Sequence, residues 1–297
     1  MIRIAHVSDL HFGAIAEGTP DALLESIAAM EPTLVVVSGD LTLAGRKREF
    51  REAAAFLRRI GRPTLVVPGN HDVPAYALHR RFTTPTSRFQ EFITPDLRPT
   101  FHASGLFALG LNTARPWDLS WNWSHGRFSN EQVRHADGVF GAQAAVRAAD
   151  ASPGADRLAI LVAHHPLIVP EEIPGFRVAG RAASMLGVLA RRRVDLVLSG
   201  HLHHGYWRRH EIEVEAVGRS VLMIQASTAT STRRREHANA FNVLDVEGDS
   251  MTLAVWEWDG RRFGEAERTG FSRDAHGWNP LGPASDPAAA ASSVVAS

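Results

Sequence analysis

The pattern that decides the fold is clearest in the stretch Leu65-Val66-Val67-Pro68-Gly69-Asn70-His71-Asp72, where a short apolar run ends abruptly in polar side chains. A β-branched run of this length, bounded by Pro and Gly, is typical of a strand buried on both faces. Four further stretches follow the same pattern, at residues 2–11, 34–40, 158–166 and 196–203. Ligands of open α/β sheets bind beyond the carboxyl ends of such strands. The five polar clusters are therefore predicted to converge on one site, whose simplest occupant is a pair of divalent metal ions.

Helix and strand signals alternate through the first two hundred residues, which predicts an α/β fold. Beyond His204 the predicted strands follow one another without helices, and they either form a second sheet or extend the first. Helices are predicted at residues 21–30, 49–60, 129–150 and 180–193, and late strands at residues 221–226, 240–246 and 250–258. Within the third helix, Gly138 and Gly141 are candidate break points.

The C-terminal sequence changes character at about residue 277, where prolines and an Ala/Ser run begin to dominate. Such a composition predicts disorder, with a frayed Ala-rich helix as the alternative. We therefore expect a single domain over residues 1–276 and a disordered tail over residues 277–297.

The complete absence of cysteine restricts the chemistry. Disulfides, thiolate metal sites and cysteine nucleophiles are excluded. A metal bound by this chain must use nitrogen and oxygen ligands, which favours Mn, Fe or Zn over Cu(I) or an iron–sulfur cluster.

The charge balance bears on the expected partners. The 32 basic and 32 acidic residues cancel, so we expect neither nucleic-acid binding nor stable association with an anionic membrane. No apolar stretch approaches membrane-spanning length. Arg3, His6 and Asp9 interrupt the place where the apolar region of a signal peptide would lie, so a cytoplasmic location is expected. Nothing in the sequence indicates the oligomeric state.

Each polar cluster, taken singly, has a simpler explanation. Asp9 and His11 stand at i and i+2, which on a strand places both side chains on one side, yet a capping Asp beside a surface His is commonplace. Asp40 after Gly39 is typical of a helix or turn cap. A buried His164 bonded to a backbone carbonyl would also be ordinary. Chance does not explain five such clusters at five strand ends.

Together the clusters resemble the signature of the calcineurin-like metallophosphoesterases: Asp-x-His, Gly-Asp, Gly-Asn-His-Asp/Glu, His, and Gly-His-x-His. Every block is present in order, from Asp9 to His203. The opening Ser-Asp-Leu-His-Phe-Gly is similar to that of bacterial class III cyclic-nucleotide and glycerophosphodiester phosphodiesterases. The resemblance implies a four-layer αββα sandwich, with two mixed β-sheets face to face and helices outside.

The resemblance also implies roles for individual residues. Seven metal ligands are implied, namely Asp9, His11 and His203 at one ion, Asn70, His164 and His201 at the other, and Asp40 bridging both. His71 matches the family's catalytic histidine that binds no metal, with Asp72 as its expected orienting partner. His164 is preferred to His165 because the family's ligand directly follows the strand and lies two residues before the usual proline.

The expected reaction is hydrolysis of a phosphodiester by a hydroxide that bridges the two metal ions. His71 would protonate the leaving alkoxide or stabilise its charge. A small soluble diester is the favoured substrate, with 3',5'-cyclic AMP as one candidate, because the chain carries no large appended domain.

Substrate contacts are harder to predict. The candidates are Trp117, in a loop with three tryptophans, and the histidines His165 and His204. The tryptophans either stack on a base or contact an acyl chain, or simply anchor the loop by aromatic packing. The basic run at residues 232–236 is interpreted as a solvated turn, with a phosphate-proximal arginine as the alternative.

Rival functions are a lipid-head-group pyrophosphohydrolase acting at a membrane surface, a nuclease, and a non-catalytic scaffold of the same fold. The lack of a basic amphipathic helix disfavours the first, and the charge balance disfavours the second. A scaffold would be expected to lose metal ligands, and none is missing here.

Overall fold

The computed structural model describes residues 1–116, 124–149, 158–170, 175–214, 217–233 and 237–282. The strands are β1 Ile2–Val7, β2 Leu34–Val37, β3 Thr64–Val66, β4 Thr100–Ala103, β5 Leu106–Leu111, β6 Leu158–Ala163, β7 Leu196–Ser199, β8 Tyr206–Val214, β9 Val217–Gln225, β10 Ala240–Glu247, β11 Ser250–Trp258, β12 Phe263–Asp274 and β13 Gly277–Pro280. The α-helices are α1 Thr19–Met30, α2 Lys47–Arg59, α3 Leu78–Thr83, α4 Ser87–Phe92, α5 Asn130–Ala149 and α6 Ala182–Arg191, and one turn of 3₁₀-helix covers Asn70–Asp72. All five strands predicted from the opening pattern are present.

The strands form two mixed sheets. The first has the order β13-β12-β11-β10-β1-β2-β3, and the second has the order β4-β5-β6-β7-β9-β8. In the first sheet β1, β2 and β3 are parallel, while β10 joins β1 antiparallel. In the second sheet β5, β6, β7 and β9 are parallel, with antiparallel β4 and β8 at the two edges. The sequence left open whether the late strands form a second sheet or extend the first. Both occur: β9 belongs to the second sheet, and β10 to β12 extend the first.

Side-chain alternation along the strands creates three apolar layers. On β2, Leu34 and Val36 face the core between the two sheets, whereas Val35 and Val37 face the core beneath α1 and α2. A third core lies between the outer face of the second sheet and the helices α5 and α6. Both faces of these strands are buried, which explains their uninterrupted apolar sequences. The predicted four-layer αββα sandwich is confirmed.

Two local predictions are wrong. Helix α5 continues through Gly138 and Gly141 without a break. The tail does not begin at residue 277, because β13 pairs with β12 and buries Trp278, which is 1% exposed. Pairing with a neighbouring strand overrides the composition of this segment, while residues 283–297 lie outside the described part of the chain.

No helix among the described residues is both long and apolar enough to cross a membrane.

Candidate metal centre

The seven predicted ligands meet at the carboxyl ends of β1, β2, β3, β6 and β7. Six of their side chains, together with that of His165, form two neighbouring groups of donor atoms. One group contains Asp9, His11, Asp40 and His203, and the other contains His164, His165 and His201. Within each of these groups the donor atoms lie within 4.8 Å of one another.

The first group is centred on Asp9. Its Oδ1 lies 3.1 Å from Nε2 of His203 and 3.6 Å from Nε2 of His11. The two imidazole Nε2 atoms are 3.0 Å apart. Three donors from two distant parts of the chain therefore face one small volume.

Asp40 lies between the two groups. Its Oδ2 is 3.8 Å from Nε2 of His11 in the first group and 3.3 Å from Nε2 of His164 in the second. The same His164 nitrogen is 3.2 Å from Oδ1 of Asn70, which adds an amide oxygen to the second group. Oδ2 of Asp40 therefore faces a donor in each of the two groups.

The ligand-bearing loops adopt an uncommon backbone conformation. Five of the seven predicted ligands have positive φ, namely Asp9 (53°), His11 (50°), Asp40 (52°), His201 (84°) and His203 (54°). The left-handed conformation is unfavourable in free energy for non-glycine residues, so these turns must be held by surrounding contacts. Strands β1 and β7 end before their motifs, so the pairs Asp9/His11 and His201/His203 converge through left-handed turns. The sequence-based explanation, in which alternation along a strand places both side chains on one side, is therefore wrong.

Two motif glycines allow the loops to come this close. A Cβ on Gly69 would lie 2.1 Å from Oδ1 of Asp40, and a Cβ on Gly200 would lie 1.8 Å from Oγ of Ser8 and 2.6 Å from Oδ2 of Asp9. Neither position has room for a side chain. Each motif therefore needs glycine here, because a Cβ would collide with the carboxylate beside it.

Backbone carbonyls set the direction of three imidazoles. Nδ1 of His164 lies 2.8 Å from the carbonyl of Ser38, and Nδ1 of His203 lies 2.7 Å from the carbonyl of Arg233. Nδ1 of His11 is 3.3 Å from the carbonyl of Thr42. A carbonyl oxygen only accepts hydrogen bonds, so Nδ1–H donates in each pair and the Nε2 lone pair faces the other donors. This is the usual arrangement of a metal-binding histidine.

The structure distinguishes His164 from His165. His164 directs Nε2 at both Asp40 and Asn70. His165 is buried, and its Nδ1 lies 2.8 Å from the hydroxyl of Thr113 while its ring contacts His201. The orientation favours His164 as the ligand, and its ligand role stays a prediction.

The buried charges perturb one another strongly. Burial lowers the pKa of His164, but Asp40 and Asp9 outweigh it and raise the pKa to about 9. The pKa of His203 is also raised, because Asp9 outweighs burial. Conversely, the neighbouring imidazoles outweigh burial and hold the pKa of Asp40 well below its usual range. Burial lowers the pKa of His201 to about 3. The carboxylates thus favour positive charge on the groups between them.

These donors fit divalent metal ions. Oδ1 of Asp9 is buried and, beside the imidazoles of His203 and His11 that face it, finds no hydrogen-bond partner among the described residues, although a buried carboxylate oxygen normally has one. The donor set consists of carboxylate and amide oxygens and imidazole nitrogens without sulfur, which suits Mn, Fe or Zn. A cation beside Asp9 would satisfy the unpaired oxygen.

The expected pairing of His71 with Asp72 is wrong. The Asp72 carboxylate accepts hydrogen bonds from the backbone N–H groups of Leu41, Thr42 and Gly69 and from the Thr42 hydroxyl. Nδ1 of His71 instead lies 2.6 Å from the carbonyl of Leu43. Asp72 is fully engaged in tying the loop after β2 to the loop after β3, so the backbone orients the imidazole.

An open cleft of about 510 Å³ gives access to the centre. It is lined by Asp40, Asn70, His71, Ser124, Phe176, His201, His203 and Arg233. Sequence reasoning named Arg233 only as an alternative within a basic run, and it did not single out Ser124 or Phe176. Their proximity depends on long loops, for which the sequence gives no distance signal.

The predicted substrate contacts fare less well. His165 is buried and is not among the residues that line the cleft. His204 lines a different cavity, where its ring contacts that of His237 with centroids 4.6 Å apart. The structure therefore does not place either histidine at the cleft, and Trp117 lies outside the described residues.

Comparisons with known proteins find similar sequences. The sequence profile of the family described as calcineurin-like phosphoesterase matches residues 2–205. A probable cyclic nucleotide phosphodiesterase from Synechococcus sp. is 22% identical over 269 residues, covering 86% of this chain and 92% of that protein. The glycerophosphodiester phosphodiesterase GpdQ from Enterobacter lignolyticus is 35% identical over 80 residues, which cover 23% of this chain and 29% of that protein.

Solved structures share the fold. A dimetal phosphatase from Danio rerio superposes with a TM-score of 0.60 at 16% identity, covering 91% of this chain and 98% of that chain. A purple acid phosphatase from yellow lupin, Lupinus luteus, superposes with a TM-score of 0.67 at 14% identity, covering 92% of this chain and 54% of that chain. At such low identity, the likeness concerns the fold alone.

Proposed function

The chain belongs to the calcineurin-like phosphoesterase family and is a metal-dependent phosphoester hydrolase, and from this premise we propose that it hydrolyses small phosphodiesters at a centre of two divalent ions. The observation that carries the proposal is the position of Asp40. One of its oxygens faces His11 in the first group of donors and His164 in the second.

The ions would be held by the side chains already described. The first would take Asp9, His11 and His203, the second would take Asn70, His164 and His201, and Asp40 would bind both. Bound there, divalent cations supply Lewis-acid chemistry, lowering the pKa of a water and neutralising charge on phosphoryl oxygens. The donor chemistry is compatible with Mn, Fe or Zn.

The protein's own contribution to bond cleavage would come from His71. Its Nδ1–H donates to the carbonyl of Leu43, which leaves Nε2 facing the cleft. An alkoxide is a poor leaving group, so a proton delivered from Nε2 would matter most for alkyl diesters. Burial lowers the pKa of His71, and the positive charge of Arg233 acts in the same direction. The protonated imidazole is therefore a stronger acid than free histidine.

The preference for diesters is supported by the relatives. The protein from Synechococcus, which aligns over most of both chains, is a probable cyclic nucleotide phosphodiesterase, and the partial match is a glycerophosphodiester phosphodiesterase. We propose a small soluble diester as substrate, with 3',5'-cyclic AMP as one candidate, and we expect no nucleic-acid substrate because the 32 basic and 32 acidic residues balance.

A substrate panel tests this function. Metal-reconstituted protein is assayed with bis-p-nitrophenyl phosphate, p-nitrophenyl phosphate, cyclic AMP and glycerophosphodiesters. We expect a higher kcat/KM for at least one diester than for the monoester. A preference for the monoester over every diester would refute the proposal.

A further inference from the structure

We propose that Arg233 is a substrate-binding residue whose guanidinium receives the anionic phosphoryl group at the mouth of the cleft. The inference rests on the proposed function and adds a contact that the metal ligands do not supply. Three observations support it: the hydrogen bonds that hold the Arg233 backbone, the contact between its guanidinium and His71, and the lack of a carboxylate partner for its charge among the described residues.

The segment leading to Arg233 is attached to the first ligand loop. The hydroxyl of Thr228 donates to the carbonyl of Asp9 at 2.6 Å, and that of Thr230 donates to the carbonyl of Leu10 at 2.7 Å. The backbone N–H of Thr232 then donates to the carbonyl of Ala14 at 2.8 Å. These contacts fix the backbone position of the arginine relative to the ligand Asp9.

The backbone of Arg233 is also tied to the centre itself. Its N–H donates to the hydroxyl of Ser231 at 3.0 Å, and its carbonyl accepts from Nδ1 of His203 at 2.7 Å. Arg233 therefore orients the predicted ligand His203 through its carbonyl and also carries the guanidinium. The start of its side chain is held at a defined distance from the ions, whereas the side chain itself is exposed.

The guanidinium points at the predicted proton donor. Nη1 of Arg233 lies 3.0 Å from Nε2 of His71. A guanidinium only donates hydrogen bonds, so His71 accepts at Nε2 while its Nδ1–H donates to the carbonyl of Leu43 at 2.6 Å. Arg233 therefore reaches the part of the cleft where the leaving group of a substrate would lie.

Among the residues that the structure describes, the positive charge of Arg233 has no carboxylate as a counter-ion. Within residues 1–116, 124–149, 158–170, 175–214, 217–233 and 237–282, no carboxylate forms an ion pair with it at 4.0 Å or less. A hydrogen bond from a guanidinium to an anionic oxygen is stronger than one to a neutral imidazole, and its planar pair of N–H groups matches two phosphoryl oxygens. An arriving phosphodiester anion should therefore displace His71 as the partner of Arg233.

The test compares Arg233→Gln and Arg233→Lys with the control Arg261→Gln, which changes an exposed arginine outside the cleft. All are full-length, metal-reconstituted proteins whose metal content and thermal unfolding are measured first. Binding of inorganic phosphate is measured by calorimetry, and KM and kcat are measured with bis-p-nitrophenyl phosphate. The exposed side chain makes folding of both Arg233 variants expected.

Arg233→Gln should weaken phosphate binding and raise KM by about tenfold or more at unchanged metal content, as expected for loss of one charge-assisted hydrogen bond. Arg233→Lys should fall between Arg233→Gln and the wild type. Arg261→Gln should match the wild type. Unchanged phosphate affinity in Arg233→Gln would overturn the inference, including the case in which kcat alone falls and Arg233 acts only through His71. The phosphate measurement remains decisive if the wild type cleaves no ester, a result that would instead refute the proposed function.

Discussion

Replacing Asp72 by Asn separates two accounts of this residue. In the structure its Oδ1 accepts the backbone N–H and the hydroxyl of Thr42, each at 2.9 Å. Its Oδ2 accepts the backbone N–H of Leu41 at 3.2 Å and that of Gly69 at 2.9 Å. Asp72 thereby ties the loop of Asp40 to the loop of Asn70, and both predicted ligands should depend on it.

The magnitude follows from counting donors. An Asn side chain offers one oxygen, so whichever carboxylate oxygen becomes NH₂, at least one buried backbone N–H loses its acceptor. If Oδ2 is replaced, two N–H groups lose theirs. Each unpaired buried group costs about 1–3 kcal/mol. Asp72→Asn should therefore lower the free energy of unfolding by at least about 1–3 kcal/mol, and the metal content should fall as Asp40 and Asn70 shift.

The assay is chemical denaturation of the metal-loaded protein, with metal content and kcat measured on the same samples. Loading matters because burial and the charge of Asp40 raise the pKa of Asp72 to about 6 without metal. Repulsion between the carboxylates would then mask part of the cost. The control is Asp96→Asn, because Asp96 is exposed and accepts a single backbone N–H from Arg98. Its stability should change by no more than about 0.5 kcal/mol.

One result would refute this reasoning. If Asp72→Asn keeps wild-type stability and metal content but loses kcat, Asp72 acts on His71 directly and the assignment of its hydrogen bonds to the loop backbone is irrelevant to function.

Two further predictions concern the centre. Gly69→Ala should remove most bound metal, since its Cβ would lie 2.1 Å from Oδ1 of Asp40. The control Gly138→Ala, whose Cβ would have no atom within 4 Å, should retain metal and stabilise helix α5 by about 0.5–1 kcal/mol. Equal metal contents in the two variants would contradict the steric argument. The pKa of His164 is raised to about 9, and that of His203 is also raised. Their protons therefore stabilise the metal-free fold below about pH 6.5. This stabilisation is lost as the pH rises through the pKa values of the folded protein. Because Mn²⁺ displaces these protons, the increase in Tm on its addition should grow between about pH 6.5 and pH 9, and an increase that shrinks over this range would contradict the assigned charges.

The sequence predicts the strands that matter most to the site. The apolar runs of β1, β2, β3, β6 and β7 are buried on both faces, so their composition is unambiguous. Strand β8 was not predicted because its sequence, with Arg208, Arg209 and Glu211, suits a strand at the edge of a sheet with charged side chains. Strand β12 lies one place in from the edge of the first sheet, but its exposed Glu and Arg side chains also hide the apolar pattern of a strand.

The positions of the ligands follow from the motifs, but their geometry does not. Nothing in the letters Asp9-x-His11 reveals that both residues adopt positive φ, since Asp and His, although enriched there relative to other non-glycine residues, adopt it only in a minority of cases. The partner of Asp72 is Thr42, thirty residues away in the chain, so adjacency to His71 misled the prediction. Arg233 reaches the cleft through contacts between Thr228 and Asp9, which only the folded chain brings together.

Metal stoichiometry tests the central claim most directly. Wild-type protein, Asp40→Ala and His71→Ala are saturated with Mn²⁺, freed of loosely bound ions and analysed for metal per chain. The account predicts two ions in the wild type, loss of both in Asp40→Ala because this carboxylate faces both groups of donors, and two ions in His71→Ala with reduced turnover. A wild type that holds one ion, or an Asp40→Ala protein that retains two, would contradict it.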